Sequence, residues 1–232
     1  MMAAGGIIVA GGEFSEWDEK ALGELLNVET TREKPLLIAA DRGLEHLLKY
    51  KRMPDLCIGD FDSVSDPTAA VIKGWEQSGE VEVIRLNPVK DDTDTEAALR
   101  LALERTEGDV AVFGGNGRRI DHLLANIHIL WIALQRGRQA FLMDAYNRIR
   151  LIGQPCSLKR AEQYGKYVSL FPFGGKVSGL TLEGFKYPLE RAELFIGSSL
   201  GTSNELVADV GHIDFSAGEL VVVESRDGTG LE

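Results

Sequence analysis

Short apolar runs that close on glycine or aspartate, each leading into a stretch with helical spacing, recur through the first 150 residues. "GGIIVAGG", "PLLIAADRG", "DLCIGDFDS", "VEVIRLN" and "DVAVFGGNG" are the runs, and several are apolar on both faces. A strand of that kind needs cover on both sides, which is the signature of a parallel sheet rather than a half-exposed antiparallel one. Between the runs lie "LEHLLKYKRM", "DTEAALRLALER" and "DHLLANIHILWIALQRG", with Leu and Ala at helical positions. The alternation predicts an α/β fold with a mostly parallel sheet covered on both sides. After Gly153 the texture changes to β-rich runs bounded by Gly, Pro and Ser, such as "KYVSLFPFGG", "VSGLTLEGFKYPL" and "HIDFSAGELVVVES". These predict a small all-β sandwich or barrel. The expected domains are therefore 1–150 and 151–232, with "LIGQPCSLKRAEQYG" as the hinge.

Charge narrows the choice of partner. The 232 residues carry 25 Lys and Arg against 36 Asp and Glu, a net charge of −11. No basic excess offsets a phosphate backbone, so nucleic acid is not the expected partner. A small phosphorylated ligand remains possible if divalent cations mediate. No apolar run is long enough to cross a bilayer, and the start has no basic lead before a long apolar core, so no membrane partner is expected. Cys57 and Cys156 are too few for a disulfide framework or a Cys-rich zinc site. The reading is a cytoplasmic protein with reduced thiols.

In a parallel sheet, ligands gather at the carboxyl ends of the strands. Asp41 ends one run, Asp60 and Asp62 end another, Asp91, Asp92 and Asp94 follow a third, and "GGNGRRIDH" follows a fourth. These groups should meet on one rim. As extended chain, Asp60 and Asp62 would share a face and repel unless a cation lay between them. Clustered carboxylates suit a hard cation, and magnesium is the natural one where phosphates complete the shell. Each acid also has a bland reading: Asp41 as a helix cap, Asp94 as a first-turn acid favoured by the helix dipole. The glycine loop offers backbone amides, and Arg118 or Arg119 could form paired hydrogen bonds to phosphate. His46 reads as a surface residue, His128 as a packed one, and His122 as either structural or ligand-contacting.

"GDFDS", "KDDTDTEAAL" and "GGNGRRIDHLLAN", in this order and followed by "GFKYPL" and "SLGTSNE", resemble the thiamine pyrophosphokinase family. The resemblance runs from about Asp41 to Glu205. It implies a Rossmann-like α/β domain that binds ATP and magnesium, followed by a β-sandwich that binds thiamine. It implies transfer of the pyrophosphoryl group of ATP to the thiamine hydroxyl, with thiamine diphosphate and AMP as products, and a homodimer with active sites between subunits. Carried over by position, Asp41, Asp60, Asp62, Asp91 and Asp94 resemble the acidic set that holds magnesium. Asp41, Gly59, Ser63, Lys90, Thr93, Gly114, Gly115 and Arg119 resemble the ATP-binding set. Asp121, Tyr187, Ser203 and Asn204 resemble the thiamine-binding set. Two positions depart from the family pattern, with Arg42 and Arg118 where the family usually has glycine.

The expected mechanism is in-line attack on the β-phosphorus, with Arg119 steadying phosphate oxygens and either Asp94 or Asp62 accepting the hydroxyl proton. Two other classes fit the same rim: a metal-dependent phosphohydrolase that uses water, and a nucleotide or thiamine sensor without turnover.

Overall fold

The computed structural model describes residues 4–27, 34–87 and 92–228. They form two compact units that divide between Asp144 and Ala145.

The first unit alternates strands and helices: β1 (Ala4–Val9), α1 (Glu16–Leu26), β2 (Leu36–Ala40), α2 (Gly43–Lys49), β3 (Leu56–Gly59), α3 (Asp66–Ser78), β4 (Glu82–Arg85), α4 (Asp94–Arg105), β5 (Asp109–Phe113), α5 (Ile120–Gln135) and β6 (Ala140–Met143). All five pairings among its strands are parallel, in the order β4-β3-β2-β1-β5-β6. The central strands carry buried residues almost without a break, which is why they read as continuous apolar runs. α2 packs on β1 and β2, and α4 on β1, β2, β3 and β5.

Local chemistry sets where the helices start. Ser15 caps α1 in a reciprocal box with Asp18, whose carboxylate accepts from the Ser15 N–H at 2.7 Å. Burial pushes the Asp18 carboxyl above its ordinary value despite these bonds. Thr93 caps α4 through Glu96 N–H, and α3 stops at Gly79, which takes the left-handed conformation. Cys57 is buried within β3, and burial pushes its thiol up to about 11.

The second unit is built on one long strand. It contains β7 (Asn147–Ile152), β8 (Cys156–Lys159), β9 (Tyr167–Glu183), β10 (Leu189–Leu194), β11 (Asn204–Glu205), β12 (Val210–Asp214) and β13 (Ala217–Ser225). The first half of β9 pairs with β11 and β13, and β13 with β7; its second half pairs with β10 and β12, and β12 with β8. All these pairings are antiparallel. Val168, Leu170, Val177, Leu180, Ile213 and Val222 are among the side chains of its core.

The boundary falls earlier than the expected 150/151, and the stretch expected to be a hinge holds the end of β7, all of β8 and a short 3-10 turn at Arg160–Glu162. The physical reason is pairing: β7 runs in register with β13 from Asn147↔Ser225 to Ile152↔Leu220, and this six-residue ladder ties it to the second unit. An apolar run after β6 carries no local sign of which sheet will take it.

Glu224 sits at 1% exposure among these strands. Its carboxylate accepts from Arg148 Nε and Nη2 and from the Tyr164 N–H at 2.7–3.0 Å. Truncating one partner of a buried pair leaves the other charge uncompensated. Glu224→Ala is therefore expected to lower the unfolding free energy by about 3–5 kcal/mol, read from urea melts. A loss under about 1 kcal/mol would show the pair to be dispensable.

Candidate functional site

The strand order reverses direction between β1 and β5: the chain builds outward from β1 to β4, then returns to add β5 and β6 on the other side. Loops leaving β1 and β5 diverge there, and this leaves a crevice at the carboxyl edge. A cleft of about 670 Å³ occupies that position. Its walls are Gly11, Gly12 and Glu13 after β1, Asp41 and Arg42 after β2, Ser63 after β3, residues 93–95 at the start of α4, and the loop 114–119 after β5 with His122 and Asn126 of α5.

Carboxylate oxygens of Asp41, Asp60 and Asp94 come within 4.8 Å of one another. Asp41 has a backbone φ of +46°, and Arg42, not Asp41, occupies the cap position of α2. Its carboxylate is used elsewhere. Oδ2 accepts from Ser63 Oγ at 2.6 Å, and Oδ1 is buried without a hydrogen-bond partner. A buried carboxylate oxygen with no donor, facing two more acids, fits a divalent cation. Gly59 gives the arrangement room, since a Cβ there would lie a tight 3.1 Å from the Asp41 Cα.

The turn within "GDFDS" departs from the strand geometry expected of it. β3 ends at Gly59, and Phe61 adopts a φ of +60° with its ring buried and Arg85 stacked 5.4 Å away. A bulky residue in that conformation carries strain of about 1–3 kcal/mol, held here by burial of the ring. Asp60 and Asp62 therefore do not share a strand face. Asp60 joins the acidic trio, while Asp62 is exposed, outside the trio, and sends its N–H to Asp60 Oδ1 at 3.2 Å.

Of the remaining expected residues, Ser63, Thr93, Gly114, Gly115 and Arg119 line the cleft with Asp41 and Asp94. Lys90 and Asp91 lie outside the described residues. Arg119 and Asp121 pair with each other at the rim, with Nη2–Oδ2 at 2.5 Å, and both are exposed. The guanidinium holds the Asp121 carboxyl down to about 2. Tyr187, Ser203 and Asn204 lie together in the second unit. The Asn204 amide is buried and committed to Tyr187, accepting from its N–H at 3.0 Å and donating to its carbonyl at 2.7 Å. Asn204 thus holds Tyr187 in place, and Tyr187 is the residue of the pair that meets solvent, at 58% exposure.

Sequence reading missed the loop after β1. Gly12 N–H donates to Gly114 O and Glu13 N–H to Asn116 O, each at 2.8 Å, which ties the β1 and β5 loops together. A Cβ on Gly12 would lie 2.1 Å from Asn116 O, so only glycine allows that approach. The signal available was the "GG" closing the first apolar run. Asn116 was missed as well; its amide donates to Asp144 at the end of β6.

Both lone histidines also come out differently. His128 is exposed. His46 is half-buried, its Nε2 2.8 Å from Gly12 O and its ring stacked 5.2 Å from Phe14. Its spacing on α2 gave no hint of this, since the partner is a carbonyl of another loop.

The comparisons with known proteins agree with this geometry. Residues 28–142 match the family model described as thiamin pyrophosphokinase, catalytic domain, and residues 156–220 match that for the vitamin B1 binding domain. The thiamine pyrophosphokinase of Bacillus subtilis is 33% identical over 197 residues, which covers 85% of this chain and 90% of that protein. This chain belongs to the thiamine pyrophosphokinase family. A crystal structure of thiamine pyrophosphokinase from Bacillus subtilis superposes with a TM-score of 0.81 at 31% identity, over 96% of this chain and 99% of that one. Thiamin pyrophosphokinase from Candida albicans, at 16% identity, shares the fold with a TM-score of 0.76, over 96% of this chain and 89% of that one.

Burial holds the His46 imidazole below its ordinary value even though the Gly12 carbonyl opposes the shift. As pH falls through about 6.5, the unfolded chain takes up the proton first. Stability is then expected to fall with pH from about 6.5 downward until the lowered native value is passed. Urea midpoints measured between about pH 5 and 7.5 should show this slope, and His46→Gln should flatten it. An unchanged slope in the variant would remove His46 from the account.

Proposed function

We propose that this chain catalyses transfer of the pyrophosphoryl group of ATP to the hydroxyl of thiamine, giving thiamine diphosphate and AMP. The observation that carries the reading is the acidic trio at the sheet's switch point, in a chain of the thiamine pyrophosphokinase family. The thiamine oxygen forms a bond to the β-phosphorus while the bond from that phosphorus to the oxygen bridging the α-phosphate breaks, and AMP leaves with that electron pair. The hydroxyl proton passes to a carboxylate. Asp94 lines the cleft and Asp62 does not, which favours Asp94 as the acceptor.

Asp41, Asp60 and Asp94 would hold magnesium, and the orphaned Asp41 Oδ1 is a donor atom that such an ion would satisfy. When bound, the ion would neutralise phosphate charge during transfer. The chain's own residues do the rest. Ser63 orients the Asp41 carboxylate. Arg119, already ionised and held at the rim by Asp121, offers a guanidinium to phosphate oxygens. The second unit is read as a two-sheet sandwich that supplies the thiamine wall. Lys186 Nζ lies 5.5 Å from the Tyr187 ring, so the cationic substrate would stack on the face away from it. A cytoplasmic homodimer is the setting we infer; exposed Ile120 and Leu124 on α5, and Phe195 and Ile196 after β10, supply apolar surface for subunit contact.

The test is incubation with ATP, magnesium and thiamine, with AMP and thiamine diphosphate resolved by chromatography. Equal yields are expected, lost on chelation and in Asp60→Asn. AMP without thiamine diphosphate would indicate a hydrolase, and thiamine binding without turnover a sensor. Ser63→Ala removes a hydrogen bond to a metal-holding carboxylate and should cost roughly 10–100-fold in activity, recovered in part at raised magnesium.

A further inference from the structure

Three successive carbonyls of the loop after β5 are each taken up by protein donors. Gly114 O and Asn116 O accept from the N–H groups of Gly12 and Glu13, and Gly115 O accepts from Asn126 Nδ2 in a buried bond. In a trans peptide the C=O and the next residue's N–H point to opposite sides of one plane. The N–H groups of Gly115, Asn116 and Gly117 are therefore turned away from the groups that hold those carbonyls. Among the described residues none of the three meets a protein acceptor, and all three residues line the cleft. Successive N–H groups of this kind make an anion-binding concavity. Arg118 adjoins them at the cleft, exposed and without an ion pair among the described residues, whereas Arg119 is held by Asp121.

We propose that the N–H groups of Gly115, Asn116 and Gly117, together with the Arg118 guanidinium, seat the terminal phosphate of the donor. Asn126 is the positioning residue that fixes the central peptide plane. The terminal phosphate suits the seat better than the α-phosphate. It carries the larger charge and three free oxygens, and it stays with the transferred group, while the α-phosphate departs with the nucleoside. Assigning the phosphate to ATP rests on the pyrophosphokinase reading; the seat itself rests on the loop.

The experiment is titration calorimetry on the full chain with magnesium pyrophosphate and, separately, with AMP. Asn126→Asp keeps the size of the side chain but replaces the donor to Gly115 O with a carboxylate. Arg118→Ala removes the exposed guanidinium beside the loop. Pyrophosphate affinity should fall roughly tenfold or more in each, the loss expected for one charge-assisted hydrogen bond. AMP affinity should stay within about twofold of the parent, since each variant touches only the far phosphate. Pyrophosphate binding that is absent from the parent, unchanged in the variants, or weakened together with AMP would overturn the seat. If Asn126→Asp does not fold, Arg118→Ala decides alone, because its side chain is exposed and makes no hydrogen bond or ion pair among the described residues. A parent that binds pyrophosphate with this pattern yet makes no thiamine diphosphate would keep the seat and fail the transfer reading. Normal turnover with unaltered pyrophosphate binding in the variants would do the reverse.

Discussion

Three carboxylates held within 4.8 Å of one another are the constraint around which the first unit is arranged. At an effective dielectric of about 20, each such pair repels by on the order of 3 kcal/mol. Nothing local to Asp41, Asp60 or Asp94 would bring them together. The parallel sheet does so, by placing the ends of β2 and β3 and the start of α4 on one edge. Two residues in left-handed backbone, Asp41 and Phe61, then turn the acids inward. The fold holds in place a charge cluster of the kind that a cation would relieve, at the expense of two strained backbone positions.

The glycine loops follow from the same economy of space. At the switch point the β1 and β5 loops approach closely enough for backbone to bond backbone, and a side chain at Gly12 would block it. His46 then braces the Gly12 carbonyl from α2, and Asn126 braces the Gly115 carbonyl from α5. One side of the cleft chemistry is acidic side chains; the other is main-chain donors and arginines. Under the proposed function a metal-bridged polyphosphate would meet both kinds of surface, which would let a chain of net charge −11 take an anionic ligand.

In the second unit the polar residues divide their work differently from their appearance in sequence. Asn204 was expected to be a ligand-contacting group only through the family resemblance of "SLGTSNE". The structure commits the Asn204 amide to both sides of the Tyr187 peptide unit, so it acts through the aromatic residue it holds. Arg148 and Glu224, far apart in the chain, meet as a buried pair for which no local pattern exists.

Much of the architecture was legible because it depends on short-range patterns: doubly apolar strands, helix spacing, and the shift to Gly-, Pro- and Ser-bounded strands after β6. Motif spacing carried the family, and the positions of Asp41 and the 114–119 loop on the cleft follow from each lying just beyond a strand, while Asp94 opens the helix that follows β4. What lay beyond the sequence was contact made across the fold. Strand periodicity could not foresee that Phe61 would bury its ring and separate Asp60 from Asp62, nor helix spacing that His46 would find the Gly12 carbonyl. The assignment of β7 to the second unit was decided by its register with β13. Residue type and periodicity determine which segments become strands and helices; which side chains then face one another is set by tertiary packing, because those partners are distant in the chain and close only once the sheet has formed.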